Sequence, residues 1–396
     1  LKRFLEYLFE WIIKSCGIIS AFIVLLIVFF LFREGISFIN SSPLENNYAL
    51  FVNVHNPVNK LTDLQIKNIF DKKITNWSEF GGNNDSIHTV TVNTLESLFT
   101  KEQLGQNYEY LSICINHYID TVPGTLAYFS QRLLTPSPGS KEIKTDVISI
   151  WQFLSGKEWI PTAQPAAIMG SLPLLLGTLL VSLFAILFAI PLGLAASIYL
   201  AEIADERTRK FLKPVIELLA GIPSVVYGFF GLVVIVPMLQ RTFDLPVGET
   251  ALAGSILLAI MALPTIITVS EDAIRTCPTS MKEASLALGA SHWQTIRSVI
   301  LPYSASGITA AFILGIGRAV GETMAVLMVT GNSPGMPHSL IQPVRTIPAT
   351  IAAELGEAPF GGLHFKSLFA LACILFLITM LTNMIAERIT VKRNHK

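Results

Sequence analysis

Long apolar runs alternate with short charged loops through most of this chain. Six stretches, 11–32, 169–201, 214–240, 250–271, 303–331 and 366–387, are mostly apolar, and each reaches the roughly 20 residues that a bilayer-spanning helix needs. Between the first and second the pattern changes. "NYALFVNV" (47–54) and "IHTVTV" (87–92) carry the β-branched and aromatic content of strands. "LTDLQIKNIF" (61–70) places apolar residues at helical spacing, and Thr62 followed by Gln65 is a capping-box signature at its start. "TPSPGSKE" (135–142) reads as the linker returning to the membrane. The pattern predicts an all-α polytopic membrane protein of six transmembrane helices with a small α/β insert. The first helix occupies 1–40, the insert 41–145 and the remaining membrane part 146–396.

Composition supports this division. Hydrophobic residues make up 52% of the chain and charged ones 14%, against about a quarter charged in soluble domains. The net charge is zero, so no global field favours nucleic acid. Four scattered cysteines form no CxxC pair, and the histidines form no H-E-x-x-H, so neither residue type points to a metal site. Basic residues gather at both ends and in alternate loops: Arg207, Arg209, Lys210 and Lys213 in one, Arg275, Lys282 and Arg297 in another. The opposite loops carry only Arg33, Arg241, Arg345 and Lys366 when the long first loop is left out. By the positive-inside rule both termini are cytoplasmic and 34–168 is periplasmic. The apolar core from Cys16 to Phe32 has no A-x-A site after it and reads as a retained anchor.

Two charges stand within the fifth run, "ILGIGRAVGETMAVLMV" (313–329). Arg318 and Glu322 are four apart, so a continuous helix puts them on one face, with Glu322 one turn further out. Counted from Pro302, Arg318 lies about 24 Å along that helix. An arginine at the bilayer centre costs at least about 2.5–3.5 kcal/mol. One reading is a structural bridge between the two side chains. The other is a water-filled path in which the guanidinium fork receives an oxyanion and Glu322 neutralises it between passages. Gly317 and Gly321 form a G-x-x-x-G step that favours close helix packing. "GIPS" (221–224) is a second candidate: Pro223 opens a helical stretch whose free N–H groups attract anions, near Gly221 and the Ser224 hydroxyl. The alternative there is a kink set by packing. Glu217 and Glu271, near span ends, read as interfacial.

Between the fourth and fifth spans, "CPTSMKEASLALGASHWQTIRSVILP" (277–302) encodes two short helices at an angle. Ser280 with Glu283 and Ser291 with Gln294 are capping boxes. Gly289 suits the left-handed position that ends the first helix, and Pro302 the first turn of the next span. Within this segment Glu283, Ala284, Gly289, Leu301 and Pro302 resemble the EAA loop of ABC importer permeases. That resemblance implies a cytoplasmic hairpin, 279–301, which docks into an ATPase subunit.

"ELLAGIPSVVYGFFGL" and "LGIGRAVGETMAVLMVTGN" narrow the likeness. The membrane part resembles phosphate ABC transporter permeases of the PstC type, and "GETMAV" favours that type over its PstA-type partner. The resemblance implies the ABC importer permease fold, a phosphate path using Arg318, Glu322 and Thr323, and location in the bacterial inner membrane. It further implies a PstA-type second permease, ATPase subunits and a periplasmic phosphate-binding protein as partners. No G-x-x-x-x-G-K-[ST] occurs, so the chain is read as a transport subunit and not an enzyme, with ATP and Mg held by the partner ATPase. "LFREGISFI" (31–39) and "ISIWQFLSGKEW" (148–159) resemble family segments that normally adjoin, separated here by about 110 residues. That insertion resembles part of the phosphate-binding protein in 56–82 and 120–131. Where that family holds phosphate with Ser-Gly-Thr, this chain has Asn93-Thr94-Leu95, so the insert is read as an accessory or docking domain. An importer of another oxyanion or small solute is the second reading. A membrane sensor is disfavoured, because only about ten residues follow Ala386.

Overall fold

The computed structural model describes residues 2–39, 41–45 and 47–394. Its contacts divide the chain into two compact units. One comprises Ile36–Gly170 and Pro359–Ser367; the other runs to Gly35 and resumes over Ser171–Ala358 and from Leu368. Helix α1 (Lys2–Ile36) opens the chain and belongs almost wholly to the second of these, the membrane unit.

The insert unit is a three-layer α/β fold. Strands β1 (Tyr48–Asn53), β2 (Lys60–Leu61), β3 (His88–Val90), β4 (Thr125–Ser130) and β5 (Ser140–Thr145) form one sheet in the order β2-β5-β1-β4-β3. β1 runs antiparallel to both β4 and β5, in register at Leu50 with Tyr128 and with Ile143. Successive side chains of a strand point to opposite faces, so β1 seeds two cores. Leu50 and Val52 meet Ile66 and Ile69 of α2 (Asp63–Phe70) together with Trp77. Ala49 and Phe51 meet Leu111, Ile115 and Ile119, spaced by four along α3 (Leu111–Thr121). The Thr62–Gln65 capping box is fully formed at the start of α2.

The unit is larger than 41–145. The 135–142 segment is not a linker: Ser137 and Ser140 close a turn, and the chain re-enters the sheet as β5 beside β1. Only Ile143 and Ser140 of that strand are buried, so its mostly polar pattern hid it. At the base of the unit Ile148 N donates to Ser41 O at 3.0 Å. Phe38 packs edge-on against Phe153 of α4 (Ile150–Ser155), with ring centroids 4.9 Å apart. The two segments that bracket the insertion are therefore adjacent.

The membrane unit continues with α5 (Leu172–Ile203), α6 (Glu206–Ala220), α7 (Ser224–Thr242) and α8 (Ala251–Arg275). Next come α9 (Thr279–Ala287), α10 (His292–Tyr303), α11 (Ala305–Gly321) and α12 (Met324–Val329). The short α13 (Ile347–Glu354) and the long α14 (Leu363–Asn394) end it. Among the described residues five helices are long and apolar enough to cross a membrane, and the pair α10–α11, bent by 71°, makes a sixth if it is one span. Small residues make room for the closest contacts. Ser255 of α8 donates to Val181 O of α5 at 3.2 Å. Ile266 fills the space over Gly193 of α5 and Gly315 of α11. Close approach through small residues is the packing available where lipid removes the hydrophobic drive.

Three expectations change here. The stretch 214–240 is not one span: α6 ends at Ala220, and the apolar crossing starts at Ser224. The stretch 303–331 is likewise broken, after Gly321. Gly317 and Gly321 receive no helix from this chain, with nothing within 4 Å of where a Cβ would stand.

Candidate functional site

Arg318 occupies the last turn of α11, half-buried. The 71° bend at Ser304 makes Ala305 the start of its helix, so it lies about 20 Å along α11 and not about 24 Å. Glu322 is not one turn further along the same face. The helix stops at Gly321, and Glu322 adopts an extended conformation with φ −69° and ψ 129°. Its Oε1 instead accepts the Ala325 N–H at 3.4 Å, at the start of α12. Thr323 Oγ1 donates to Gly321 O at 3.2 Å. Among the described residues no ion pair or hydrogen bond engages Arg318. The structural bridge expected between Arg318 and Glu322 is therefore absent, because the break turns the carboxylate toward α12.

The second broken segment adjoins the first. Pro223 caps α7, with Gly221 exposed and Ser224 half-buried beside it. Gly228 of α7 lets α12 come close: a Cβ there would lie 2.7 Å from Met328 Sδ and 3.1 Å from Ala325 Cα. Tyr227 donates its hydroxyl to Leu219 O at 2.8 Å, and its ring lies within electrostatic reach of Arg318. Two interrupted helices, each with a polar residue at the break, thus meet beside a guanidinium that the chain leaves unpaired. Irregular backbone at membrane depth is tolerated where it lines a wet cavity or is buried in protein.

The hairpin is a separate site. Gly289 has φ +86° and ends α9 in the left-handed region. Ser291 and Gln294 form the capping box of α10. The Ser280–Glu283 box does not form: α9 starts two residues earlier, with Pro278 at its cap. Nor does Pro302 start a span. It lies in the last turn of α10, just before the bend. Glu283, Ala284, Gly289 and Pro302 are exposed and Leu301 is half-buried. Sequence reasoning passed over Leu288, 89% exposed, and Trp293, 59% exposed, which project from the same hairpin. Two apolar residues between helix caps in a cytoplasmic-type loop were the available signal.

Two ion-pair groups at the ends of the spans were also missed. Glu271, near the end of its span, is buried and paired. It is 1% exposed in α8 and is held by Lys213 of α6 at 3.2 Å and Arg275 at 2.9 Å. Burial weakens the Lys213 charge, but Asp272 and Glu271 outweigh that loss and hold its pKa above the usual lysine value. Lys282 of α9 reaches Glu202, in the last turn of α5, at 2.6 Å. In the insert, Asn93 lines a cavity of about 360 Å³ with Glu45, Tyr48, Phe70, Asp71 and Tyr128. No lysine or arginine lines it, and the Thr94 hydroxyl is spent on Thr91 O, so the cavity offers an oxyanion no cation. Among the described residues no cluster of His, Cys, Asp and Glu is grouped to hold a metal.

Comparison with known proteins bears on both units. The family model described as the binding-protein-dependent transport system inner membrane component matches residues 189–393. That of the PBP superfamily domain matches 34–152. A probable ABC transporter permease protein, YqgH of Bacillus subtilis, is 38% identical over 255 residues, covering 64% of this chain and 82% of its own. The phosphate transport system permease protein PstC of Mesorhizobium japonicum is 39% identical over 256 residues, covering 60% and 77%. An inward-facing structure of the MetNI methionine ABC transporter aligns with 55% of this chain and 93% of that one, at 20% identity and a TM-score of 0.45.

Proposed function

Because the chain belongs to the family of binding-protein-dependent transport system inner membrane components, matched over 189–393, we propose that it is a permease subunit of an ATP-driven importer of inorganic phosphate. The observation that carries the substrate is Arg318, half-buried in the membrane unit and bound to no partner in its own chain. An unpaired cation at that depth costs free energy that a structural role would have removed with a carboxylate. A guanidinium presents paired N–H groups that match phosphate oxygens. The name printed for the Mesorhizobium relative agrees with this substrate.

In this reading phosphate passes the breaks at Gly221–Ser224 and Gly321–Thr323, where Ser224 and Thr323 offer hydroxyls. Glu322 stays turned toward α12 and does not compete for Arg318. The hairpin docks on a partner ATPase that binds ATP and Mg, and its exposed Leu288 and Trp293 supply apolar contact alongside Glu283 and Ala284. A PstA-type second permease completes the path, and a separate phosphate-binding protein delivers the anion. Both termini are cytoplasmic and the insert is periplasmic, where it acts as an accessory to that delivery and not as a phosphate site of its own. Closure of the ATPases moves the hairpins and switches the path between its two openings. Import of another oxyanion is the second reading, since the same fork of donors fits any tetrahedral anion.

The test is Arg318→Gln in the assembled complex. Phosphate uptake is expected to fall at least about a hundredfold, the order expected when a charged hydrogen bond of roughly 3 kcal/mol is lost, while the subunits still copurify. Arg318→Lys keeps the charge and loses the fork, and falls between. Unimpaired uptake by Arg318→Gln removes the site.

A further inference from the structure

The first limb of the hairpin is held to the bundle in an unusual way. Helix α9 buries none of its residues, so no apolar side chain anchors it. The second limb is different: Thr295, Ile296 and Ile300 are buried, and the isoleucines pack with Ile274, Cys277 and Ile308 against Leu194, Ile198 and Ala201 of α5. What ties α9 itself to the rest is polar. Ser285 and Thr295 share a hydrogen bond between the two limbs at 3.0 Å. Lys282 reaches across to Glu202 at 2.6 Å, with side-chain exposures of 23% and 6%. Glu202 is the near-buried end of α5, which packs along α8 and also contacts α11, the helix of Arg318.

We propose that the Lys282–Glu202 ion pair is the link through which movement of the hairpin is passed to α5, and from there to the helices around Arg318. Both residues are positioning residues; neither touches the transported solute. A near-buried ion pair suits this task, because separating it strands a charge in a poorly solvated site. Pushing on α9 therefore moves α5 in preference to breaking the contact. Apolar contacts, being non-directional, would let a helix slide. Two interactions nearby complete the arrangement: Lys213 and Arg275 lock Glu271, which fixes α6 to the end of α8.

Cys277 supplies a reporter. It is 3% exposed at the root of the hairpin, within electrostatic reach of both Lys282 and Glu202. The experiment uses the full complex in lipid nanodiscs with Cys16 and Cys114 replaced by Ser. It compares wild type, Lys282→Gln, Glu202→Gln and the reversed pair Glu202→Lys/Lys282→Glu. Maleimide modification of Cys277 is read by mass spectrometry, and phosphate uptake is read per ATP hydrolysed. Both single variants are expected to speed Cys277 modification at least about tenfold and to lower uptake per ATP several-fold. The reversed pair restores both. Unchanged modification and unchanged uptake per ATP in the singles overturn the proposal, as does a reversed pair no better than the singles. If the single variants fail to assemble, the reversed pair alone decides. The uptake readout rests on the importer reading, whereas the modification readout does not. A wild type that moves no phosphate therefore counts against that reading, while the Cys277 rates still judge the link.

Discussion

The insert and the membrane unit bury different mixtures of residue. In the insert the largest side chains are innermost: Trp77 and Phe51 are at most 1% exposed. In the membrane unit α5 and α8 bury small residues, Ala185, Ala189, Ala251, Ala253 and Ser255, beside Leu174, Leu257 and Ile274, while Leu183 and Leu187 of α5 are 62% and 58% exposed. The difference is one of solvent. Water expels large apolar surface, so the insert gains by burying it. Lipid does not, so the helices gain only by approaching closely, and small residues are what permit it. The two solvents thus give small residues a larger share of the buried positions in the membrane unit than in the insert.

The largest effect that would break this comparison lies in α5. A Cβ at Gly177 would stand 2.3 Å from the carbonyl oxygen of Arg345, a backbone atom that cannot turn aside. Gly177→Val is expected to cost more than the roughly 1–3 kcal/mol of ordinary overpacking and to abolish recovery of assembled complex. Leu183→Ala, on the same helix but facing outward, is expected to leave yield and thermal midpoint unchanged. If Leu183→Ala proves the more damaging in detergent-purified complex, the contrast does not hold.

Local signals were legible in the sequence, and distant ones were not. Thr62–Gln65, Ser291–Gln294 and Gly289 each act within one helix turn, and each stands where its residue type predicts. Each of the six apolar runs overlaps a helix, or the bent helix pair, that is apolar enough to cross, because length and hydropathy suffice for that. The break after Gly321 was hidden because "GRAVGETMAV" keeps an apolar run going on either side of one carboxylate. β5 was hidden because Ile143 is its one apolar residue, so the stretch reads as a polar loop. The partner of Arg318 was misjudged for the same reason as the break: spacing of four means one face only while the helix continues. Glu202–Lys282 and Lys213–Glu271 join residues far apart in the chain, and nothing local encodes either pairing.

A second prediction tests the insert against its own rule. Trp77 is 1% exposed and donates its indole N–H to Gly124 O at 2.9 Å. Trp77→Ala removes one of the two buried tryptophans and one of the two hydrogen bonds to that carbonyl, which still accepts the His88 N–H, a loss of roughly 3–5 kcal/mol. Hydrogen exchange on the full chain is expected to show the strands of the insert losing protection while α5 and α8 keep theirs. Equal loss in both units would mean that they do not fold as separate cores.

The smallest effect concerns charge in the insert, where water makes ionisation matter. Asp63 begins α2, at a helix N-terminus that favours a carboxylate. Yet its pKa is raised from the ordinary 3.8, foremost by burial and further by the nearby Asp146 charge, against hydrogen bonds from Leu64 N–H and the Gln152 side chain. A raised folded pKa means that the folded state holds the proton more tightly than the unfolded one. As pH climbs above 3.8, the unfolded chain releases its proton first, and stability falls until the folded carboxyl has also ionised. At neutral pH the whole penalty is present. Asp63→Asn keeps an acceptor for Leu64 and Gln152 and removes the charge. It is expected to raise the resistance of the insert to limited proteolysis in urea at pH 7.5, by far less than Trp77→Ala lowers it. At a pH below 3.8 the gain disappears, since both states of the native carboxyl are then neutral. A gain that persists in acid would assign the effect to packing and not to charge; a loss at pH 7.5 would mean that the helix end outweighs burial at this position.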